Sequence, residues 1–378
     1  MKIKKIELLN YRNYDNLKID FNDNLNIIIG DNAQGKTNLL EAIYVLAVTK
    51  SFLSINDKNL IKFNNRFSFI KGEIVKKNVH DDLMIVLSEN GKNVKINDKE
   101  IRKLSDYISR MNVVIFSSDA IRMIKESPSS RRKYLNVQIS QINKKYLRLL
   151  NDYNIILRQR NEFLKIINLN KKSDVDYLNI INDKYVDLSI LIYDYRKKYI
   201  QGINNYIEKI FYSITNLRNL KLCYSSNICF ENKYSKELLL EKIEKNIDKD
   251  IQYKMTLIGP NRDDFYFLLD GKNLSLYGSQ GQVRSAILSL KLSEVKLFTE
   301  LVGDSPILLL DDIFSELDIN KRNSILKYLD QKIQTIITTT DIENIMEDMR
   351  KKANVYKIEN GKIISREIIS DRKGDVYE

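Results

Sequence analysis

The sequence is poor in several kinds of residue that mark whole classes of protein. Its 378 residues include two cysteines and three prolines, and no apolar run approaches the roughly 18 residues of a membrane-spanning helix. The cysteines, Cys223 and Cys229, do not have the spacing of a zinc pair. The basic N-terminus lacks the long apolar core and the small-residue cleavage site of a signal peptide. We therefore expect a protein without a membrane segment that works in the reducing cytoplasm.

Positive charge, by contrast, is in excess. The formal net charge is +12, which favours a polyanionic partner without identifying it. Hydrophobic residues make up 43% of the chain, which excludes a disordered protein. The length allows about two or three domains, each with a core of its own.

One segment combines a buried strand, a glycine-rich loop and a helix. The apolar run Leu25–Ile29 predicts the strand, and Asn38–Thr49 has the apolar spacing of a helix. Between them, GDNAQGKT matches the GxxxxGK[ST] pattern of a P-loop. A glycine-rich turn that matches by chance is the alternative, but it would not carry the correct strand and helix on its two sides. The predicted nucleotide-binding residues are Gly30, Asp31, Asn32, Ala33, Gln34, Gly35, Lys36, Thr37 and Asn38.

These residue types suit the binding of a nucleoside triphosphate. Gly30 and Gly35 let the backbone bend so that its N–H groups converge on phosphate oxygens at the positive end of the helix. Lys36 supplies a mobile positive charge for the β- and γ-phosphates, and the Thr37 hydroxyl suits Mg²⁺. The segment therefore predicts ATP and Mg²⁺ as cofactors.

A second anion site is predicted late in the chain. Ser279, Gly281 and Gln282 begin a predicted helix that extends to about Leu301, and they resemble the core of the signature loop of ABC-type ATPases. A serine hydroxyl, backbone N–H groups and a helix N-terminus meet at this point. We predict that these residues contact a nucleotide.

The next apolar run, Ile307–Leu310, predicts a buried strand that ends in two carboxylates. Asp311 is predicted to hold Mg²⁺, through water, and Asp312 is predicted to be the general base that orients the attacking water. Ser315–Asp318 resembles a D-loop, which communicates between two nucleotide sites. Thr340 stands where most ABC-type ATPases have a histidine.

Residues 122–200 differ in composition from the rest of the chain. They contain no glycine and one proline, and they hold 17 basic and 8 acidic residues. Their apolar spacing predicts two long antiparallel helices, the first about 55 Å long at about 1.5 Å per residue. The charge predicts an arm that binds a nucleic-acid backbone, with contacts beginning at Arg131, Arg132 and Lys133. For any single residue, a solvated helical face is the alternative.

The N-terminal segment predicts strands at Ile3–Leu9 and Leu17–Phe21, paired around the turn NYRNYDN. Further strands are predicted at Phe67–Val75, Leu83–Leu87 and Thr335–Thr339, and hairpin turns are predicted at Asn90–Gly91 and Asn360–Gly361. Arg12, in the first turn, either reaches a bound nucleotide or is a solvated turn residue, and the sequence favours neither.

Taken together, the elements predict an α/β fold, namely an ABC-type P-loop ATPase head with a mixed sheet and helices. An α-helical arm is inserted into this head. We expect the N-terminal part of the head at 1–120, the basic arm at 121–215 and the C-terminal part of the head at 216–378.

These motifs resemble the RecF family of bacterial recombination mediators, whose heads are similar to those of SMC and Rad50 proteins. The resemblance extends from end to end of the chain through NYRNY, GDNAQGKTNLLEAIY, SPSSRRKYLN, RQRN, GPNRDD, SQGQVR and LLLDDIFSELD. Three positions depart from the family pattern. Asn261, Val283 and Leu53 stand where histidine, glutamine and arginine are usual.

The resemblance implies a set of functions that composition and spacing do not supply. It implies an ATP-dependent homodimer, slow ATP hydrolysis, and binding to single- and double-stranded DNA at gaps. It further implies action with RecO and RecR in loading RecA, and roles in DNA replication, DNA repair and the SOS response to DNA damage.

Three alternatives share parts of the pattern. A transporter-type ABC ATPase subunit would have the P-loop and carboxylates, but it predicts a histidine in place of Thr340 and no basic arm. A full SMC protein needs hundreds of coiled-coil residues, which the insert is too short to supply. A nucleotide-gated scaffold that binds only proteins through its arm stays open, and salt-dependent DNA binding would distinguish it.

Overall fold

The computed structural model describes residues 1–54, 56–117, 126–228, 234–314, 322, 333–345 and 347–367. The chain divides into two compact units. The head unit comprises Met1–Ile121, Ser213–Asn216 and Ile287–Glu378, and the arm unit comprises Arg122–Tyr212 and Leu217–Ala286. The arm unit thus includes residues 217–286, which the sequence patterns assign to the C-terminal part of the head. Within the described ranges, no helix is long and apolar enough to cross a membrane.

The strands of the described residues are numbered in chain order. They are β1 (Lys2–Tyr11), β2 (Tyr14–Asp20), β3 (Leu25–Ile29), β4 (Phe67–Lys76), β5 (Val79–Ser88), β6 (Gly91–Ile96), β7 (Lys99–Glu100), β8 (Val113–Phe116), β9 (Leu220–Ser225), β10 (Asp264–Leu269), β11 (Lys272–Asn273), β12 (Ile307–Asp311), β13 (Thr335–Thr339), β14 (Ala353–Glu359) and β15 (Lys362–Glu367).

Two helices are named for the motifs that begin them, the P-loop helix (Lys36–Val48) and the signature helix (Gln280–Val302). In the part of the chain that the structure describes, the other α-helices are Leu104–Tyr107, Pro128–Ile142, Lys144–Phe163, Lys172–Asn204, Ile207–Thr215, Lys236–Lys245, Ile247–Tyr253, Leu274–Tyr277 and Glu347–Arg350, with short 3₁₀ turns at Asp57–Leu60 and Ile342–Asn344.

The P-loop follows a strand of a mixed sheet in the head unit, whose strand order is β15-β14-β3-β13-β12-β8. Strands β14, β3, β13, β12 and β8 are parallel, and β15 pairs antiparallel with β14. Their apolar runs are buried along nearly their whole length, as expected of parallel strands covered on both faces. Because parallel strands end at one edge of a sheet, the loops after β3 and β12 come together there. The strands predicted at Leu25–Ile29 and Thr335–Thr339 are confirmed with those bounds.

A second sheet of the head unit is antiparallel, with strand order β2-β1-β4-β5-β6-β7. Residues alternate between buried and accessible along β4, because successive side chains of a strand point to opposite faces. The strand pairs predicted around NYRNYDN and from Phe67 are confirmed, with bounds one to four residues wider at some ends.

The arm unit contains helices and a small antiparallel sheet of strand order β11-β10-β9. Each of the two long helices predicted here is divided in the structure. The first is divided at Asn143, which is extended (φ −136°, ψ 107°) and whose side chain accepts hydrogen bonds from the N–H groups of Lys145 and Tyr146. This side chain begins a new helix by capping its first turn. The second predicted helix is likewise divided, into Lys172–Asn204 and Ile207–Thr215.

Candidate nucleotide-binding site

The P-loop connects β3 to the P-loop helix through a backbone turn that requires glycine. Gly35 is the N-cap of the helix and has φ +112°, a region that residues with a Cβ rarely adopt. A Cβ at Gly35 would lie 2.9 Å from the Tyr14 hydroxyl, and one at Gly30 would lie 2.3 Å from the Ile358 carbonyl oxygen. The loop is therefore packed against the rest of the head unit on its outer side.

The inner side of the loop forms an open pocket. Its lining consists of Asn32, Ala33, Gly35, Lys36, Thr37, Asn38 and Asp312. The first turn of the P-loop helix is part of this lining, so its N–H groups and the positive end of the helix dipole lie at the pocket. Seven of the predicted site residues are thus brought together.

Lys36 is held across the mouth of the loop by the backbone. Its Nζ donates hydrogen bonds to the carbonyl oxygens of Gly30 (2.7 Å) and Asp31 (2.8 Å). Burial lowers the pKa of the Lys36 ammonium, and the charges of Asp312, Asp311 and Asp31 oppose this shift. The ammonium is thereby positioned near the pocket before any phosphate binds.

The two motif elements that suit Mg²⁺ are in direct contact. The Thr37 hydroxyl donates a hydrogen bond of 2.9 Å to Asp311 Oδ1, and the Thr338 hydroxyl donates one of 2.8 Å to the same oxygen. Burial raises the pKa of Asp311, whereas the two hydroxyl donors lower it. A hydroxyl beside a carboxylate is the hard oxygen donor set that Mg²⁺ prefers. The described residues contain no cluster of three or more His, Cys, Asp or Glu side chains that could hold a metal ion.

Asp312 follows the strand in a left-handed backbone conformation. Its φ is +50°, and its N–H donates to the Thr338 carbonyl (3.2 Å) and hydroxyl oxygens (3.1 Å). Asp adopts this left-handed region more readily than most residues with a Cβ. Here the strand neighbour fixes this conformation, and the side chain lines the pocket.

The signature residues of the arm unit form a reciprocal cap at the start of the signature helix. The Ser279 hydroxyl accepts a hydrogen bond from the Gln282 N–H (3.2 Å), and the Gln282 side chain accepts one from the Ser279 N–H (2.9 Å). Ser279 and Gly281 are exposed. The cap gives the loop a fixed shape that is open to a ligand.

The three residues predicted to begin the DNA contacts differ in their surroundings. Arg131 makes a bidentate pair with Asp264, from Nε at 2.6 Å and from Nη2 at 2.8 Å. Arg132 donates to the Asp263 carbonyl oxygen at 3.0 Å, and burial lowers its pKa. Lys133 is exposed. Of the three, Lys133 offers its charge most directly to solvent.

Arg12 lies in the turn, but its charge is paired rather than solvated. Its guanidinium forms a bidentate pair with Glu41 of the P-loop helix, at 2.8 and 2.7 Å, and it also donates to the Asn59 carbonyl oxygen. Glu41 is fully buried and also accepts from the Tyr11 hydroxyl at 3.0 Å. Arg12 therefore ties the first turn to the P-loop helix by neutralising a buried carboxylate.

Sequence reasoning missed three residues that shape the site, namely Thr338, Asn13 and Tyr14. Thr338 pairs in register with Asp311 on the adjacent strand, which only strand order reveals. Asn13 and Tyr14 are contained in the NYRNY stretch, and they contact the loop from outside. The predicted D-loop, Ser315–Asp318, lies outside the described residues.

A mostly parallel sheet that carries a P-loop after one strand, and a carboxylate in contact with the P-loop threonine after another, defines a P-loop ATPase. The signature loop, which precedes the second of these strands in the chain, makes it an ABC-type ATPase head. Two comparisons agree with this class. Residues 2–364 match the model of the RecF/RecN/SMC N terminal domain. The Smc head domain of Pyrococcus furiosus has a similar fold, with a TM-score of 0.51 at 14% identity over 96% of this chain and 95% of that one.

Two further matches are much more similar. The DNA replication and repair protein RecF of Streptococcus agalactiae is 42% identical over 96% of this chain and 98% of its own. A solved structure of the recombination mediator protein RecF with ATP, in the RecFOR pathway, has a TM-score of 0.89 and 34% identity over 97% of both chains. The chain belongs to the RecF family of DNA replication and repair proteins.

Proposed function

We propose that this protein is an ATP-dependent DNA-binding protein of recombinational repair and replication, which binds Mg·ATP in the pocket of the head unit. The observation that carries the proposal is the contact of Thr37 with Asp311 beside Lys36. This contact brings together the hydroxyl of Thr37, the carboxylate of Asp311 and the ammonium of Lys36, which are the three groups that a P-loop ATPase needs. The relative of known structure that binds ATP supports the same ligand.

The residues of the pocket would divide the work on the triphosphate. The N–H groups of the loop and the Lys36 ammonium would hold the β- and γ-phosphates, in place of the carbonyl oxygens that Lys36 now contacts. Thr37 and Asp311 would hold Mg²⁺, which neutralises phosphate charge when bound. Asp312 would orient the attacking water as general base. An Asp is one methylene shorter than the usual Glu, which accords with slow hydrolysis.

Ser279 would act on a second chain. Its exposed, capped loop would contact the γ-phosphate held by the P-loop of a partner copy, so that two ATP molecules join a two-fold dimer. ADP lacks the bridging phosphate and would bind one chain without favouring the dimer. The protein would thus be a slow ATPase that acts as a switch.

DNA would be held by phosphate contacts of the basic arm, which we place at 121–215, and these contacts carry no base sequence information. We further propose binding to single- and double-stranded DNA at gaps in the cytoplasm, and cooperation with RecR and RecO in RecA loading and the SOS response. These proposals rest on membership of the family and on the RecFOR pathway of the relative.

The most direct experiment is sedimentation of the protein with and without ATP and a gapped duplex. We expect a monomer that becomes a dimer with ATP and Mg²⁺, but not with ADP, and that then binds the duplex. Ser279→Arg should bind ATP as a monomer without dimerising. Dimerisation of Ser279→Arg at the wild-type ATP concentration would contradict the role given to the signature loop.

A further inference from the structure

The outer side of the P-loop is held by two turns of the head unit. In the turn between β1 and β2, the Asn13 side-chain amide donates a hydrogen bond of 3.1 Å to the Gln34 carbonyl oxygen. The hydroxyl of Tyr14, the next residue, donates one of 2.8 Å to the Gly35 carbonyl oxygen. From the turn between β14 and β15, the Gly361 N–H donates 3.2 Å to that same Gln34 oxygen. The Gly35 oxygen also accepts the first hydrogen bond of the P-loop helix, from the Leu39 N–H at 3.0 Å. Groups outside the motif therefore hold the Gln34 carbonyl group and share the Gly35 carbonyl group with the helix.

The side chain of Gln34 is also used in this way. Its Oε1 accepts a hydrogen bond of 2.5 Å from the Asn360 N–H. Gly361 has φ +71°, and a Cβ there would lie 2.8 Å from the Asn13 carbonyl oxygen, so the two turns are also in close contact with each other. Gln34, which the sequence predicts as a nucleotide ligand, is absent from the pocket lining.

Peptide geometry connects these outer contacts to the inner pocket. In a trans peptide, the N–H of a residue points away from the carbonyl of the residue before it, and no described peptide is cis. Donors that draw the Gln34 and Gly35 carbonyl groups outward therefore direct the N–H groups of Gly35 and Lys36 inward. Both of these residues line the pocket.

We propose that Asn13, Tyr14 and the Asn360–Gly361 turn are positioning residues of the nucleotide site, which fix the direction of its phosphate-binding N–H groups without contacting the nucleotide. The inference rests on the proposed function, because it concerns the same site. Its physical basis is preorganisation: N–H groups that already face the ligand need no reordering when it binds.

The chain offers a matched control for a test of this role. Tyr14 and Tyr107 are both fully buried, and each donates a hydrogen bond of 2.8 Å to a backbone carbonyl oxygen at the P-loop helix. Tyr14 contacts Gly35 at the N-terminal end, whereas Tyr107 contacts Leu46 near the C-terminal end. The substitution by Phe removes the same bond in each case, but only Tyr14 acts on the peptide next to the pocket.

The experiment measures Kd for ATP and for ADP by calorimetry, together with Tm, for wild type, Tyr14→Phe and Tyr107→Phe. Both variants should lower Tm by about 2–4 °C, because each loses one buried hydrogen bond. Tyr14→Phe should raise the Kd for ATP and for ADP about fivefold, and Tyr107→Phe should change either Kd by less than about twofold. Asn13→Ala removes the donor to Gln34 and also the oxygen that accepts a hydrogen bond of 2.9 Å from the pocket residue Asn38. It should weaken nucleotide binding at least as much as Tyr14→Phe, and it serves if that variant does not fold.

The outcomes separate this inference from the proposed function. Equal Kd in Tyr14→Phe and Tyr107→Phe would overturn the positioning role, since a general loss of stability would then explain both. Wild-type Kd in Asn13→Ala would overturn it as well. Failure of the wild-type protein to bind ATP would instead overturn the proposed function, and the positioning role with it.

Discussion

In the head unit, charged and polar side chains line an open pocket, whereas the charged side chains deepest in the arm unit are paired with one another. Lys36 of the head unit contacts backbone oxygens beside the pocket. In the arm unit, Arg160 pairs with Asp250 at 2.7 Å and Arg196 pairs with Asp263 at 3.0 Å, and all four side chains are at most 2% exposed. Positive charge therefore serves both a ligand site and ion pairs such as Arg12–Glu41 in the head unit, whereas the deepest positive charges of the arm unit serve internal structure.

The comparison changes how the basic arm is interpreted. Its net charge favours a nucleic-acid partner, but Arg160 and Arg196 contribute to that charge and cannot meet a phosphate backbone without unfolding. Arg131 is likewise paired, with Asp264. The DNA-binding proposal thus depends on the exposed lysines and arginines of the arm, since a buried pair leaves no charge to neutralise phosphate.

The largest effect is expected from removing a buried ion pair of the arm unit. Arg160→Met leaves the buried Asp250 without its cation and should lower the free energy of unfolding by about 3–5 kcal/mol. ATP affinity should be unchanged, because the contacts of Arg160 lie within the arm unit. Urea denaturation and ATP calorimetry measure the two quantities. The matched control is Arg158→Met, an exposed arginine of the same helix, which should cost less than about 0.5 kcal/mol.

The next effect concerns chemistry in the head pocket. Asp312→Asn keeps the shape of the side chain and removes the base, so turnover of ATP should fall by about 1,000-fold while ATP still binds. The ATP-bound dimer should persist for longer than that of the wild type. Single-turnover hydrolysis measures the change, and undiminished turnover would place the base elsewhere.

A smaller effect is expected on binding alone. Lys36→Ala removes a charge-assisted contact with the phosphates and should lower the affinity for ATP about 100-fold. Lys36→Arg should retain part of the affinity, because its planar fork places the charge differently. ATP titration measures both variants. Wild-type affinity in Lys36→Ala would contradict the P-loop assignment, and stability should change little in either variant.

The smallest effect is expected from removing exposed positive charge on the surface of the arm. Replacing the exposed Lys133, Lys144 and Lys145 with Ala should weaken DNA binding alike for all sequences. The slope of log K against log salt should fall by about 0.9 for each duplex phosphate that the variant no longer neutralises. A matched variant of three exposed head lysines, Lys58, Lys99 and Lys103, carries the same change in charge. An equal fall in its slope would contradict placement of the DNA on the arm.

Some of the architecture could be predicted because its signals are local. The bounds of β3 and β13 follow from short apolar, β-branched runs, and the turns at Asn90–Gly91 and Asn360–Gly361 follow from residues that tolerate positive φ. The arm helices show the limit of this reasoning. Their apolar spacing continues through Asn143, but the capping bonds of that side chain end one helix and begin another.

The sequence by itself determined the motif residues of the nucleotide site, since the P-loop is one continuous segment whose glycines and lysine act through their own backbone and charge. The residues distant in the chain that complete the nucleotide site are seen only in the tertiary structure. Thr338 contacts Asp311 through strand pairing, and Tyr14 contacts Gly35 through a turn that packs on the loop. The tertiary structure also decided that the charge of Arg160 is neutralised by Asp250. Such contacts depend on topology and register, which join residues that are far apart in the chain, and charge or composition alone does not encode them.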